Sequence, residues 1–207
     1  IPEDQTNYNT VTGQYSVSVG KKPVKVQVKD AQKIYGEVNP EFELETIPQG
    51  TLVGNDSEEE LQVQLTCAAD EKTSVGSIDI TGVSVAESYD VTVMPGKLAV
   101  HQRAVDFRVA DLSIRFGESL PDSYAFEVSN LAAWDNQQTL GAELSITPQN
   151  IPEGNPSGVY TLEIDQVVIT NENYKVGKTV SGNLTIREVT APPLPDLDEI
   201  SYHPNRT

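Results

Sequence analysis

Apolar side chains fall at every second position along most of this chain. Val24, Val26 and Val28 alternate with Lys25, Gln27 and Lys29. The same beat runs through 42–45, 61–65, 78–80 and 91–93, and again through 105–109, 126–128, 144–146, 160–164 and 184–186. A period of two wets one face and buries the other, which predicts half-buried antiparallel strands. Val, Ile, Thr and Tyr dominate these runs, and Gly, Pro, Asn and Asp cluster between them. Two places offer a turn of helix. Residues 55–57 supply a cap ahead of Glu58, Glu59, Glu60 and Leu61, and 129–134, from Ser129 to Trp134, are the counterpart. Long apolar helical stripes are absent from the sequence, so the predicted class is mainly β.

The pattern occurs twice. Ile34-Tyr35-Gly36-Glu37-Val38-Asn39-Pro40 returns as Arg115-Phe116-Gly117-Glu118-Ser119-Leu120-Pro121, an offset of 81 residues. Tyr89 and the Gly96-Lys97-Leu98-Ala99-Val100 stretch return as Tyr174 and Gly182-Asn183-Leu184-Thr185-Ile186. The tyrosines are 85 residues apart, so the second copy carries about four extra residues, and the Pro/Gly-rich stretch 148–158 is the expected place for them. A fixed repeat distance predicts tandem copies of one small domain in an elongated arrangement. Residues 21–100 form the first repeat and 101–187 the second. Tyr8 leads Tyr89 by 81 residues, so 1–20 reads as the closing hairpin of a preceding repeat. Residues 188–207 read as a proline-rich linker and the start of another segment, a piece cut from a longer protein. Each copy holds a modest core at best, and contact with neighbouring repeats of the same chain is expected to help.

The recurring motif has a physical reading. Gly36 and Gly117 suit a bulge or sharp bend that needs positive φ or lacks room for a side chain. Tyr35 and Phe116 anchor the bend on the core. Pro40 and Pro121 end pairing and start the next strand at an edge.

Charge narrows the partners. Thirty-one acids against 14 bases give a net charge of −17. That excludes the basic surface that nucleic acid or an anionic membrane needs, and no run of 18 apolar residues could insert in a bilayer. Cys67 continues the strand phase of Leu61, Val63 and Leu65 and reads as a small core residue. His101 and His203 stand apart, without the close ligand pairs of a zinc site. Asp56, Glu58, Glu59 and Glu60 lack the spacing of a known calcium loop, and the expected cofactor is none. With no recognisable nucleophile–base pattern, the chain reads as a non-enzyme.

Together, the stretches 28–40, 75–80, 88–91 and 95–100 resemble the MBG domain of YGX type. The likeness covers about 22–100 well and 101–187 less well, because Phe116 replaces the motif tyrosine and Ser119-Leu120 replaces a polar-Asn pair before Pro121. The resemblance implies a β-rich, non-enzymatic, extracellular module, β-grasp-like in description, that occurs in tandem in bacterial surface adhesins and other large secreted proteins. An immunoglobulin-like sandwich fits the alternation equally, and a helix crossing one sheet face in each copy would select the β-grasp. The expected function is a spacer or stalk of an adhesin-like surface protein. The alternative is a module binding a glycan or host glycoprotein. Its candidate residues are Trp134, Asp135, Asn136 and Tyr124, with Tyr160, because aromatic faces stack on sugars and neighbouring Asp or Asn groups orient them.

Overall fold

The computed structural model describes residues 12–189. The chain forms two compact units. Among the described residues the first comprises 12–33, 38–70 and 76–100, and the second 34–37, 71–75 and 101–189.

The first unit contains strands β1 (Lys22–Gln27), β2 (Ala31–Ile34), β3 (Val63–Cys67), β4 (Gly76–Ser84), β5 (Tyr89–Met94) and β6 (Gly96–His101), with a 3₁₀ turn at Glu58–Leu61. β1 and β5 pair in parallel, and a second sheet runs in the order β2-β6-β4-β3. Alternation reads directly as burial in β1, where Val24 and Val26 are buried between exposed neighbours. Leu98 and Val100 of β6, Ile80 of β4 and Leu61 of the turn complete the buried set. Val28 makes one isolated antiparallel bridge to Leu44, so the strand expected at 42–45 is reduced to a single pair.

The second unit contains β7 (Arg103–Val109), β8 (Leu112–Arg115), β9 (Phe126–Ser129), a short helix α1 (Gln137–Leu140), β10 (Ala142–Pro148), β11 (Gly158–Ile169), β12 (Tyr174–Val180) and β13 (Gly182–Arg187). Its sheets run β12-β7-β9 and β10-β11-β13-β8. Element for element this is the strand order of the first unit, with β9 in the place of the Val28–Leu44 bridge. β6 and β13 even share one burial sequence along their six residues. Val109, Leu162, Leu184 and Ile186 form a fully buried cluster, and Leu112, Ile114, Leu120, Tyr124 and Tyr160 pack against it.

One pair of glycines makes the switch between sheets possible. A Cβ on Gly96 would stand 2.7 Å from the carbonyl oxygens of both Val28 and Lys29, and one on Gly182 would stand 2.7 Å from that of Val109. No side chain fits where two backbones approach so closely. Beside each glycine an aspartate accepts the next backbone N–H: Asp30 from Lys97 at 2.7 Å and Asp111 from Asn183 at 2.8 Å.

Several expectations need correction. β1–β5, β7–β12 and β8–β13 are parallel, not antiparallel. Alternation reports which face is wet, and strand direction leaves no mark on it. The helical pieces among the described residues are single turns of four residues, so none lies across a sheet face as a β-grasp requires. Two sheets per unit fit the sandwich alternative better, although three of their strand pairs run parallel. The first helical turn begins where expected. The second lies at Gln137–Leu140 rather than 129–134, because Asn136 supplies a capping box with Thr139 while Asn130 is held at φ 66°. The extra length of the second unit is not confined to 148–158, since β11 has 12 residues against 9 in β4. Residues 12–20 carry no strand, with Tyr15, Val17 and Val19 exposed. The rest of the hairpin expected at 1–20, and the segment expected from 190, lie outside the described residues.

Candidate functional site

Two chemical arrangements each occur twice among the described residues, one built over long distances along the chain and one within four residues. The first is a tyrosine–aspartate corner. Tyr89 begins β5 and is almost fully buried. Its hydroxyl donates to Asp56 Oδ2 at 2.5 Å and accepts the N–H of Val53 at 2.9 Å. In the second unit Tyr174 begins β12, donates to Asp135 Oδ2 at 2.6 Å and accepts the N–H of Ala132 at 3.1 Å. Each aspartate directly precedes the N-cap residue of its helical turn, Ser57 or Asn136. The corner thus ties an irregular loop to the first residue of a strand. A charge-assisted bond of this kind is stronger than one between neutral groups. Burial and the Asp135 carboxylate push the Tyr174 hydroxyl up to about 12. The bond to Asp56 raises Tyr89 in the same direction.

The second arrangement is the aromatic–glycine turn. Gly36 and Gly117 sit at φ +89° and +88°. The N–H of Glu37 donates to the Ile34 carbonyl at 3.0 Å, and that of Glu118 to the Arg115 carbonyl at 3.1 Å. Each glutamate then turns its carboxylate back onto the backbone N–H of the residue opening the turn, Ile34 at 3.2 Å and Arg115 at 2.9 Å. Glycine is needed because a type II turn demands positive φ at its third position.

Within the second unit the Tyr35 turn meets the Tyr174 corner. The Tyr35 ring lies edge-on to Trp134 and to Tyr174, with centroids 6.1 and 5.4 Å apart. The hydrogen bonds run in series: Trp134 Nε1 donates to the Tyr35 hydroxyl at 3.1 Å, which donates to Asp135 Oδ2 at 3.1 Å, where Tyr174 also donates. Arg103 Nη1 holds the Tyr35 carbonyl at 3.2 Å, and its Nε holds that of Asn130 at 2.6 Å. Burial is the main cause of the raised Tyr35 hydroxyl. The Lys72 ammonium stands 5.6 Å from the centre of the Trp134 ring.

This geometry shows where the candidate residues lie. Trp134, Asp135 and Asn136 are brought together, but around internal bonds. Asp135 receives Tyr35, Tyr174 and Thr139, while Asn136 Oδ1 accepts the N–H groups of Gln138 and Thr139. Tyr124 packs on the Val109–Leu184 cluster together with Tyr160, whose hydroxyl donates to the Pro156 carbonyl. Tyr35 is buried against Trp134 and Tyr174, and Gly36 sits at positive φ. Phe116, by contrast, is half exposed. The roles of Tyr89, Tyr174, Asp56 and Arg103 were not read from the sequence. The signal was present, because both tyrosines keep the repeat phase and both aspartates stand one residue before a cap. Asp56 is engaged by Tyr89, and no group of three His, Cys, Asp or Glu suited to a metal occurs among the described residues. Among them, no helix is long and apolar enough to cross a membrane.

The asparagine of the motif has a role as well. Lys33 is buried, and its Nζ donates to Asn39 Oδ1 at 2.8 Å and to the Asp70 carbonyl at 2.5 Å. Asn39 Nδ2 donates to the Ala69 carbonyl at 2.6 Å. The corresponding residues of the second unit are Ile114 and Leu120, packed on its apolar cluster. A Tyr-Gly turn followed by an asparagine that serves a buried lysine is thus a coherent structural signature over β1 to β6. Residues 24–99 match the MBG domain (YGX type). The MBG match spans β1 to β6 and includes the Tyr35 turn, the Lys33–Asn39 pair and the Asp56–Tyr89 corner. No curated protein matches the chain.

Proposed function

We propose that this chain is a non-catalytic repeat module that serves as a spacer or stalk in an extracellular, adhesin-like surface protein of a bacterium. The MBG match suggests a repeat module of surface proteins. The observation that carries the reading is the recurrence of one strand order and one tyrosine–aspartate corner in both units, with one glycine turn repeated at 81 residues' spacing, at Gly36 and Gly117. Duplication of a single ancestral unit accounts for that recurrence. Polar side chains that would otherwise suggest chemistry hold turns and loops instead, which suits a module selected to keep its shape. The acidic surface favours solubility and keeps neighbouring stalks apart. Small-angle scattering of the chain tests the spacer role. An elongated profile is expected, and the profile of one compact globule would overturn it. A glycan array tests the alternative. Binding that disappears in Trp134→Ala, with the circular dichroism of the fold retained, would replace the spacer reading with a sugar-binding one.

A further inference from the structure

We propose that the Phe116–Gly117 turn is a docking tip whose partner is the Val53–Asp56–Tyr89 corner of a second copy of this chain. The inference deepens the repeat-module reading, since it relies on the equivalence of the two units.

The second unit already contains one occupied tip. The Tyr35 turn is enclosed by Ala132, Trp134, Asp135, Tyr174 and Arg103, and a Cβ at Gly36 would lie 3.0 Å from Ala132 Cβ and 3.2 Å from Arg103 Nη1. The Phe116 turn has the same backbone and the same glutamate bond, yet nothing lies within 4 Å of a Cβ at Gly117, and Phe116 is 51% exposed. A large aromatic side chain at the apex of a rigid turn, left in water, is what an anchor residue looks like before it docks.

The first unit contains the receiving arrangement. Val53, Asp56 and Tyr89 stand where Ala132, Asp135 and Tyr174 stand in the second unit, joined by the same bonds. Lys22 pairs with Tyr89 in the strand register as Arg103 pairs with Tyr174, which sets a cation at the position that holds the tip carbonyl. Val53 is 56% exposed. The side chains are matched in character. Tyr35 brings a hydroxyl and meets the Trp134 N–H, whereas Phe116 has no hydroxyl, and the first unit offers Val53 with Asn55 in place of Ala132 and Trp134. Each copy gives one tip and one corner, so the contact is heterologous and propagates head to tail. A net charge of −17 on each copy opposes it at low ionic strength, and salt relieves that repulsion.

Sedimentation velocity of the whole chain, at high salt and rising concentration, tests the proposal. Association that strengthens with concentration is expected, and Phe116→Asp or Val53→Asp should each weaken it by about tenfold or more. An equimolar mixture of the two variants keeps one intact tip and one intact corner, so it should form dimers that grow no further. Val53→Ser replaces Val53→Asp if the latter unfolds. A chain that stays monomeric throughout, variants that associate as the parent does, or a mixture without dimers would each overturn the proposal. An elongated monomer in scattering would leave the spacer reading standing and remove only this one.

Discussion

The Tyr35 and Phe116 turns are nearly the same object in two environments. Their glycines differ by one degree in φ, and each glutamate closes on the same backbone group. Yet Tyr35 is 5% exposed, enclosed by aromatic rings and an aspartate, while Phe116 stands half in water. The turn is therefore a local property, secured by glycine and glutamate within four residues. What the turn contributes to stability is not local, because it depends on what surrounds the apex. A second contrast lies beside it. The first unit buries a lysine against Asn39, and the second puts Ile114 and Leu120 in those places. The same fold accepts either solution, provided the buried polar groups are satisfied or absent together.

The glycine pair gives the largest expected contrast. Gly36→Ala should destabilise by about 2–4 kcal/mol, from positive-φ strain plus forced contact with Ala132. Gly117→Ala should lose only about 1–2 kcal/mol, the strain alone. Urea unfolding of the whole chain measures both, and equal losses would erase the distinction between the turns. Next comes the polar pair. Asn39→Leu removes a partner of the buried Lys33 ammonium and should lose about 2–3 kcal/mol. Adding Lys33→Ile copies the second unit and should return stability to within about 1 kcal/mol of the parent. A double variant no better than the single one would show that the polar pair cannot be exchanged for the apolar one.

Alkali sharpens the comparison further. Tyr174 is held protonated to about pH 12, against 10.0 for an ordinary tyrosine, because burial and Asp135 oppose the phenolate. The folded pKa is raised, so this contribution to stability is complete below pH 10 and is lost as pH climbs toward 12, where only the unfolded chain has given up the proton. Unfolding midpoints should fall across that window, and phenolate absorbance should report Tyr35, Tyr89 and Tyr174 titrating late. Asp135→Asn should narrow the delay at Tyr174. The smallest effect separates the two aromatic residues. Tyr35→Phe removes a hydroxyl that both donates and accepts and should lose about 1 kcal/mol, whereas Phe116→Tyr should change stability by roughly 0.5 kcal/mol or less.

Much of the fold could be read before any coordinates. Strand positions at 24–27, 63–65, 78–80, 91–93 and 184–186 follow from alternation, and the first helical turn, which takes Leu61 from the expected strand, from Ser57 and its acids. Parallel pairing could not be read, because a residue's wet or dry face carries no information about its neighbour's direction. The second helical turn was misplaced because the apolar Leu131-Ala132-Ala133 run draws attention, while Asn136 makes the cap. At the site, Tyr35, Gly36 and Trp134 were singled out, and Asp135 was offered as a sugar ligand. Its actual partners, Tyr35 and Tyr174, lie 100 and 39 residues away.

The sequence by itself determined the strand period, the positive-φ turns at Gly36 and Gly117 and the match of 24–99 to the MBG domain, because each depends on residues close along the chain or on their fixed spacing. Tertiary structure decided which strands pair in parallel, that Gly96 and Gly182 sit against a neighbouring backbone, and that one aromatic apex is enclosed while its twin meets water. Those outcomes depend on distances between residues tens of positions apart, which packing and loop closure set and local preference does not.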